Sequence, residues 1–265
     1  MDSITLYSLI LIILVGLPHG ALDGAVSLCL EINNSLRNII IFISVYILIA
    51  FIVVILWLNF SELALIFFLI ISIMHFGIGD LEWESGFSKY ILGFFIGGLV
   101  VIGISLLNRD DVNNIFLYLS ERTDMVWYFI EYSSYLWILS VPYFINKIDK
   151  FSTQFLIKIF FIFIFVVFLP PLLAFSFYFC FIHTINHFGR IVPQLKNKMT
   201  NKKIFYTFLL FTLSSWLIGF IVYELFKDSF DFVELTYKIL FIGLAALTVP
   251  HMILIDFYFR PLKKV

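Results

Sequence analysis

Apolar runs of about 20 residues recur along this chain, separated by short polar stretches, and this pattern limits the fold more than any single motif. A helix needs about 17–25 such residues to cross the hydrocarbon core of a bilayer. In lipid, only helices and closed barrels satisfy their own backbone polar groups. Nine segments fit, roughly residues 4–23, 38–58, 62–79, 89–107, 126–145, 153–169, 171–188, 203–223 and 237–257. The chain is therefore expected to be all-α, a polytopic transmembrane helical bundle of about nine spans (eight to ten), forming one integral membrane domain over residues 1–265. Composition points the same way. The sequence is 62% hydrophobic with a mean hydropathy of +1.05, and 13% charged, against about 25% in an ordinary soluble domain.

Two stretches have no fixed reading. Segments six and seven are separated only by Pro170 and Pro171, which fits either one long kinked helix or a tight hairpin. Residues 108–125 read as an interfacial loop with a short amphipathic helix around Ile115–Leu119. The first apolar run is not read as a cleaved leader, because no Lys or Arg precedes it and it runs into Pro18-His19-Gly20. Cys29 and Cys180 both lie inside apolar segments and imply no disulfide framework. The net charge of −1 says nothing about partners, and no basic block suggests nucleic acid, which leaves membrane lipid.

Orientation follows from the basic residues, which concentrate on cytoplasmic loops. With nine spans, one side carries Arg109, Arg122, Lys227 and Lys238, and the other carries the remaining thirteen Lys and Arg. The expected placement is the cell (inner) membrane, with the N-terminus outside and the C-terminus cytoplasmic.

The five histidines carry the chemistry. His19, His75, His183, His187 and His251 fall on segments one, three, seven (two of them) and nine, all odd-numbered and so all running the same way. Each lies roughly 13–17 residues into its segment, about 20–25 Å from the outer end at 1.5 Å per residue. Ionisable residues inside a bilayer mark functional sites by default. One such histidine alone would read as an interhelical hydrogen bond, but five in one layer read as a metal site. His183 and His187 are four apart and share a helix face, so both can reach one ion. Asp23 follows His19 at i+4, while Asp80 and Asp256 follow His75 and His251 at i+5. A ligating imidazole usually donates its other N–H to a carboxylate or carbonyl, a role open to these acids and to Asn186. Asp80 and Asp256 fit equally well as helix-end charges at the headgroups. Imidazole suits Fe, Cu, Zn and Ni, and spacing alone names neither the metal nor the reaction.

Four motifs narrow the choice: Gly16-Leu-Pro-His-Gly-Ala-Leu-Asp23, Met74-His-Phe-Gly-Ile-Gly-Asp80, Phe181-Ile-His-Thr-Ile-Asn-His-Phe-Gly-Arg190 and Val249-Pro-His-Met-Ile-Leu-Ile-Asp256. Together they resemble the Brp/Blh family of bacterial and archaeal membrane β-carotene 15,15′-dioxygenases. The resemblance implies cleavage of the central double bond of β-carotene by O2 to give two retinal molecules. It also implies a non-haem Fe(II) cofactor and a functional link to a retinal-binding rhodopsin. Carried over by motif, the implied ligands are His19, His75, His183 and His187, with Asp23 and His251 as residues that orient them.

Other classes fit less well. A membrane di-iron desaturase needs about eight histidines and carboxylates, and a membrane zinc protease needs H-E-x-x-H, which is absent. A haem-binding electron carrier would place axial histidines on facing helices, unlike the His183/His187 pair. A metal- or proton-coupled transporter would show inverted repeats, and none is evident. A retinal-binding photoreceptor needs a mid-membrane lysine, and Lys158, the nearest candidate, reads as lying near a helix end.

Overall fold

Polar capping residues mark where the apolar runs become helices. The side chains of Asp2, Ser35, Ser152, Thr200 and Asp231 accept hydrogen bonds from the backbone N–H groups of Thr5, Asn38, Phe155, Lys203 and Val233, satisfying first-turn donors that a helix leaves open. A computed structural model describes residues 2–30, 32, 35–81 and 86–259, and no strand occurs among the described residues.

Ten helices, and a short 3-10 turn at Ile148–Lys150, occur among the described residues. The helices are α1 (Ser3–Cys29), α2 (Leu36–Asn59), α3 (Ser61–Asp80), α4 (Phe87–Leu107), α5 (Arg109–Leu119), α6 (Asp124–Ile145), α7 (Thr153–Phe168), α8 (Pro171–Lys196), α9 (Asn201–Phe226) and α10 (Phe232–Phe259). Seven of them, α1, α2, α3, α4, α8, α9 and α10, are long and apolar enough to cross a membrane. The other two expected spans are also helical. However, α6 carries Glu131 and four tyrosines that dilute its apolarity, and α7 has only 16 residues. Residues 108–125 form more helix than expected. In α5, Val112, Phe116 and Leu119 are buried at a helical spacing and the charged residues lie elsewhere on the turn.

The Pro170–Pro171 break separates two helices. α7 ends at Phe168, and Pro171 opens α8, where its missing N–H is no loss. Phe165 meets Phe177 at 5.6 Å between ring centroids, and Lys158 meets Asn186 farther from the turn. Contacts that widen in step on both sides of the turn show that α7 and α8 run antiparallel.

The chain divides into two compact units, Met1–Ile12 with Ser61–His187, and Ile13–Phe60 with Phe188–Val265. In the first, glycines bring α3 and α4 into backbone contact. A Cβ added at Gly77 would lie 1.7 Å from the Gly93 carbonyl oxygen, and one at Gly97 would lie 1.8 Å from that of Ile73. Small residues let helices approach in this way where lipid offers no hydrophobic drive to associate. Trp137 of α6 packs over Gly98 and donates to the Phe95 carbonyl at 2.9 Å. Phe95, Phe144, Phe151 and Phe155 continue as a stacked ladder. In the second unit, Leu22, Ala25, Val26, Ile191, Leu195, Ile204 and Ile255 form a buried core. Trp216 of α9 donates to the Ile13 carbonyl at 3.0 Å.

Candidate functional site

Three of the four histidine motifs occur where regular helix gives way. α1 is π-helical over Ile12–Gly16 and 3-10 over Leu17–Leu22, with Pro18 near the start of the latter and His19 on it. α8 is π-helical over Tyr178–His183. α10 carries Pro250 inside the helix, then His251, then a π-helical stretch from Ile253 to Phe259. Such irregular turns release backbone groups from the helical ladder and recur at functional sites. In α8 the Thr184 hydroxyl donates to the Phe179 carbonyl at 2.8 Å.

In the first unit, α3 supplies His75 and Asp80, and α8 supplies Tyr178, His183, Asn186 and His187. His75 and His183 meet edge to face, with ring centroids 4.9 Å apart. His183 and His187 lie near-parallel at 6.3 Å, as an i, i+4 pair on one helix face should. Phe76 and Phe179 wall His183 at 4.9 and 6.0 Å. Asp80 is buried and is not a headgroup charge. Its Oδ2 accepts from the Tyr178 hydroxyl at 2.6 Å, and its Oδ1 accepts from Asn186 Nδ2 at 3.1 Å and lies 3.4 Å from His183 Nδ1. Asp80 thus serves the histidine of a later helix, although sequence spacing pairs it with His75.

The second unit repeats this plan with different helices. His19 of α1 and His251 of α10 meet edge to face at 5.1 Å. Asp23, fully buried, faces His251 Nδ1 with Oδ1 at 2.8 Å, and its Oδ2 accepts from the Tyr46 hydroxyl of α2 at 2.8 Å. His19 Nδ1 lies 2.6 Å from the Gly16 carbonyl oxygen. A carbonyl only accepts, so Nδ1 carries the proton and Nε2 the lone pair. The i+4 spacing pairs Asp23 with His19, whereas the fold brings its carboxylate to His251. A cavity of about 50 Å³ opens here, lined by Leu17, His19, Tyr46, Ser215, Thr248 and His251 among others.

In both units, then, a histidine is followed about a turn later by an aspartate. One oxygen of that aspartate faces Nδ1 of a histidine on a later helix, and the other accepts from a tyrosine. Asp256 is half-buried on the π-helical end of α10.

The histidine motifs lie inside the region that matches a known family. Residues 10–259 match the family described as β-carotene 15,15′-dioxygenase. The chain belongs to that family. A β-carotene 15,15′-dioxygenase from uncultured marine bacterium 66A03 is 33% identical over 261 residues, covering 96% of this chain and 94% of that protein. No solved structure matches.

For a β-carotene dioxygenase family member, the geometry defines what the imidazoles offer. His19 and His251 direct Nδ1 at an oxygen, and His183 places Nδ1 near one. At His19 and His251 that arrangement leaves the lone pair on Nε2, as oxygen partners do for ligating histidines. Neutral nitrogen donors supported in this way fit a divalent first-row metal. Tyr46 and Tyr178 escape a sequence reading. They are two of 13 tyrosines, most of which read as ordinary residues of apolar helices, and only the fold brings them to a carboxylate.

Proposed function

We propose that this protein cleaves the central 15,15′ double bond of β-carotene with O2 to give two molecules of retinal, using non-haem Fe(II). The observation that carries this reading is family membership over residues 10–259, which contain all five histidines. His19, His75, His183 and His187 are the ligands proposed from the motifs, with Asp23 and His251 as orienting residues. Bound iron supplies a site at which O2 can be activated.

The chain's own residues do the rest. Asp80 and Asp23, each fixed by a tyrosine, would each orient an imidazole of its own unit. Phe76 and Phe179 keep water from His183. The reaction balances internally: one C=C and one O–O bond break, two C=O bonds form, and no external reductant is consumed. The proposed setting is the cell membrane, crossed nine times with α6 and α7 included, with the N-terminus outside and the C-terminus cytoplasmic. A retinal-binding rhodopsin is the proposed consumer of the product.

The test is expression in cells that accumulate β-carotene. Loss of yellow colour with stoichiometric appearance of retinal is expected. Unchanged carotenoid in cells that hold the folded protein in their membranes contradicts the reading.

A further inference from the structure

Lys158 is the one charged residue of α7, within an otherwise apolar stretch rich in Phe and Ile. It is half-buried, near the Phe155 ring at 5.9 Å. A lysine inside a membrane helix marks function by default and needs a named partner. Its Nζ donates to Asn186 Oδ1 at 3.1 Å, Asn186 Nδ2 donates to Asp80 Oδ1 at 3.1 Å, and that same oxygen lies 3.4 Å from His183 Nδ1. The antiparallel course of α7 and α8 sets Lys158 at the level of the histidine pair, so its nearness to a helix end is no bar to a role.

The order of these groups has a direction. An ammonium only donates and a carboxylate only accepts. The amide between them must therefore turn its oxygen to Lys158 and its nitrogen to Asp80. With Lys158 removed, the amide oxygen loses its anchor, and the donor that Asn186 presents to the Asp80 oxygen facing His183 is held at one end only.

We propose that Lys158 is a positioning residue: acting through Asn186 and Asp80, it holds His183 in the tautomer with the proton on Nδ1 and the lone pair on Nε2. Its bearing on carotenoid cleavage rests on the function proposed above. The tautomer does not, because it is a property of the protein without metal or substrate.

The experiment uses the full chain, metal-free and in nanodiscs, with ¹⁵N-labelled histidine and the His183 signal assigned by its loss in His183→Ala. Wild-type His183 is expected as the Nδ1–H tautomer. Lys158→Met, which keeps the aliphatic stem, should give a tautomer mixture, and Lys158→Arg, which restores a cationic donor, should recover the wild-type signal. In iron-loaded protein, Lys158→Met should lower kcat by about 10-fold, at the mild end of losses seen for outer partners of metal ligands, with KM for β-carotene little changed. Asn186→Leu interrupts the same route and should reproduce the His183 change, so it decides the matter if Lys158→Met does not fold.

A wild-type His183 protonated on Nε2 overturns the proposal. So does an unchanged His183 signal in both variants, or a folded Lys158→Arg protein that behaves like Lys158→Met. If wild-type protein makes no retinal while the His183 signals change as expected, the proposed function falls and the positioning role stands.

Discussion

Asp23 reaches across 228 residues of sequence to place its carboxylate 2.8 Å from Nδ1 of His251. That contact ties the first histidine motif to the last. Asp23→Asn should preserve the fold and reduce retinal formation by about 10–100-fold, the range typical of lost partners to metal-site histidines. Wild-type turnover in purified Asp23→Asn protein would make Asp23 a packing residue only.

The two tyrosines make a parallel prediction about stability. Tyr46→Phe and Tyr178→Phe each delete one hydrogen bond to a buried carboxylate. Hydrogen bonds to charged groups contribute about 1.5–3 kcal/mol, so thermal unfolding in a fixed detergent should shift down in both. Equal melting of wild type and either variant would show that the phenol does not hold its carboxylate.

Helix contact in the first unit rests on glycine. Gly97→Ala places a Cβ against the Ile73 carbonyl, and overpacking of this kind destabilises by about 1–3 kcal/mol or more. Gly243→Ala is the control, because a Cβ there meets no atom within 4 Å. The Gly97 variant should melt lower than wild type and the Gly243 variant should not. The reverse order would contradict the close α3–α4 approach.

Orientation is open to a reporter experiment. A reporter fused after Val265 should report cytoplasm, and one inserted at Glu121–Arg122, between α5 and α6, should report the outside. The motive is the thirteen-to-four distribution of basic residues. Both reporters on one side would rule out the nine-span topology.

Much of this was legible in the sequence because apolar length and histidine spacing are local signals. The run length located the helices, and the i, i+4 spacing of His183 and His187 correctly placed both rings on one face of α8. The partners of the aspartates were not legible. Asp23 and Asp80 stand four and five residues after a histidine, which invites pairing within the helix, yet each serves a histidine on a distant helix. The π-helical turns explain part of the difficulty. An extra residue in a turn rotates every later side chain about the helix axis, so spacing rules that assume 3.6 residues per turn fail near His19 and His251. Lys158 reads as a helix-end charge because α7 is short. The antiparallel α8 places Asn186 beside it and turns it inward to the Asp80 cluster.

The proposed holding of iron by histidines for carotenoid cleavage is tested most directly by iron content per chain together with retinal formation in His19→Ala, His75→Ala, His183→Ala and His187→Ala proteins, each extracted intact. Iron should fall well below one per chain and cleavage to background in all four. The membrane fold should survive, because the helix backbones still bond internally. His183→Ala and His187→Ala proteins that keep full iron and still make retinal would contradict the account.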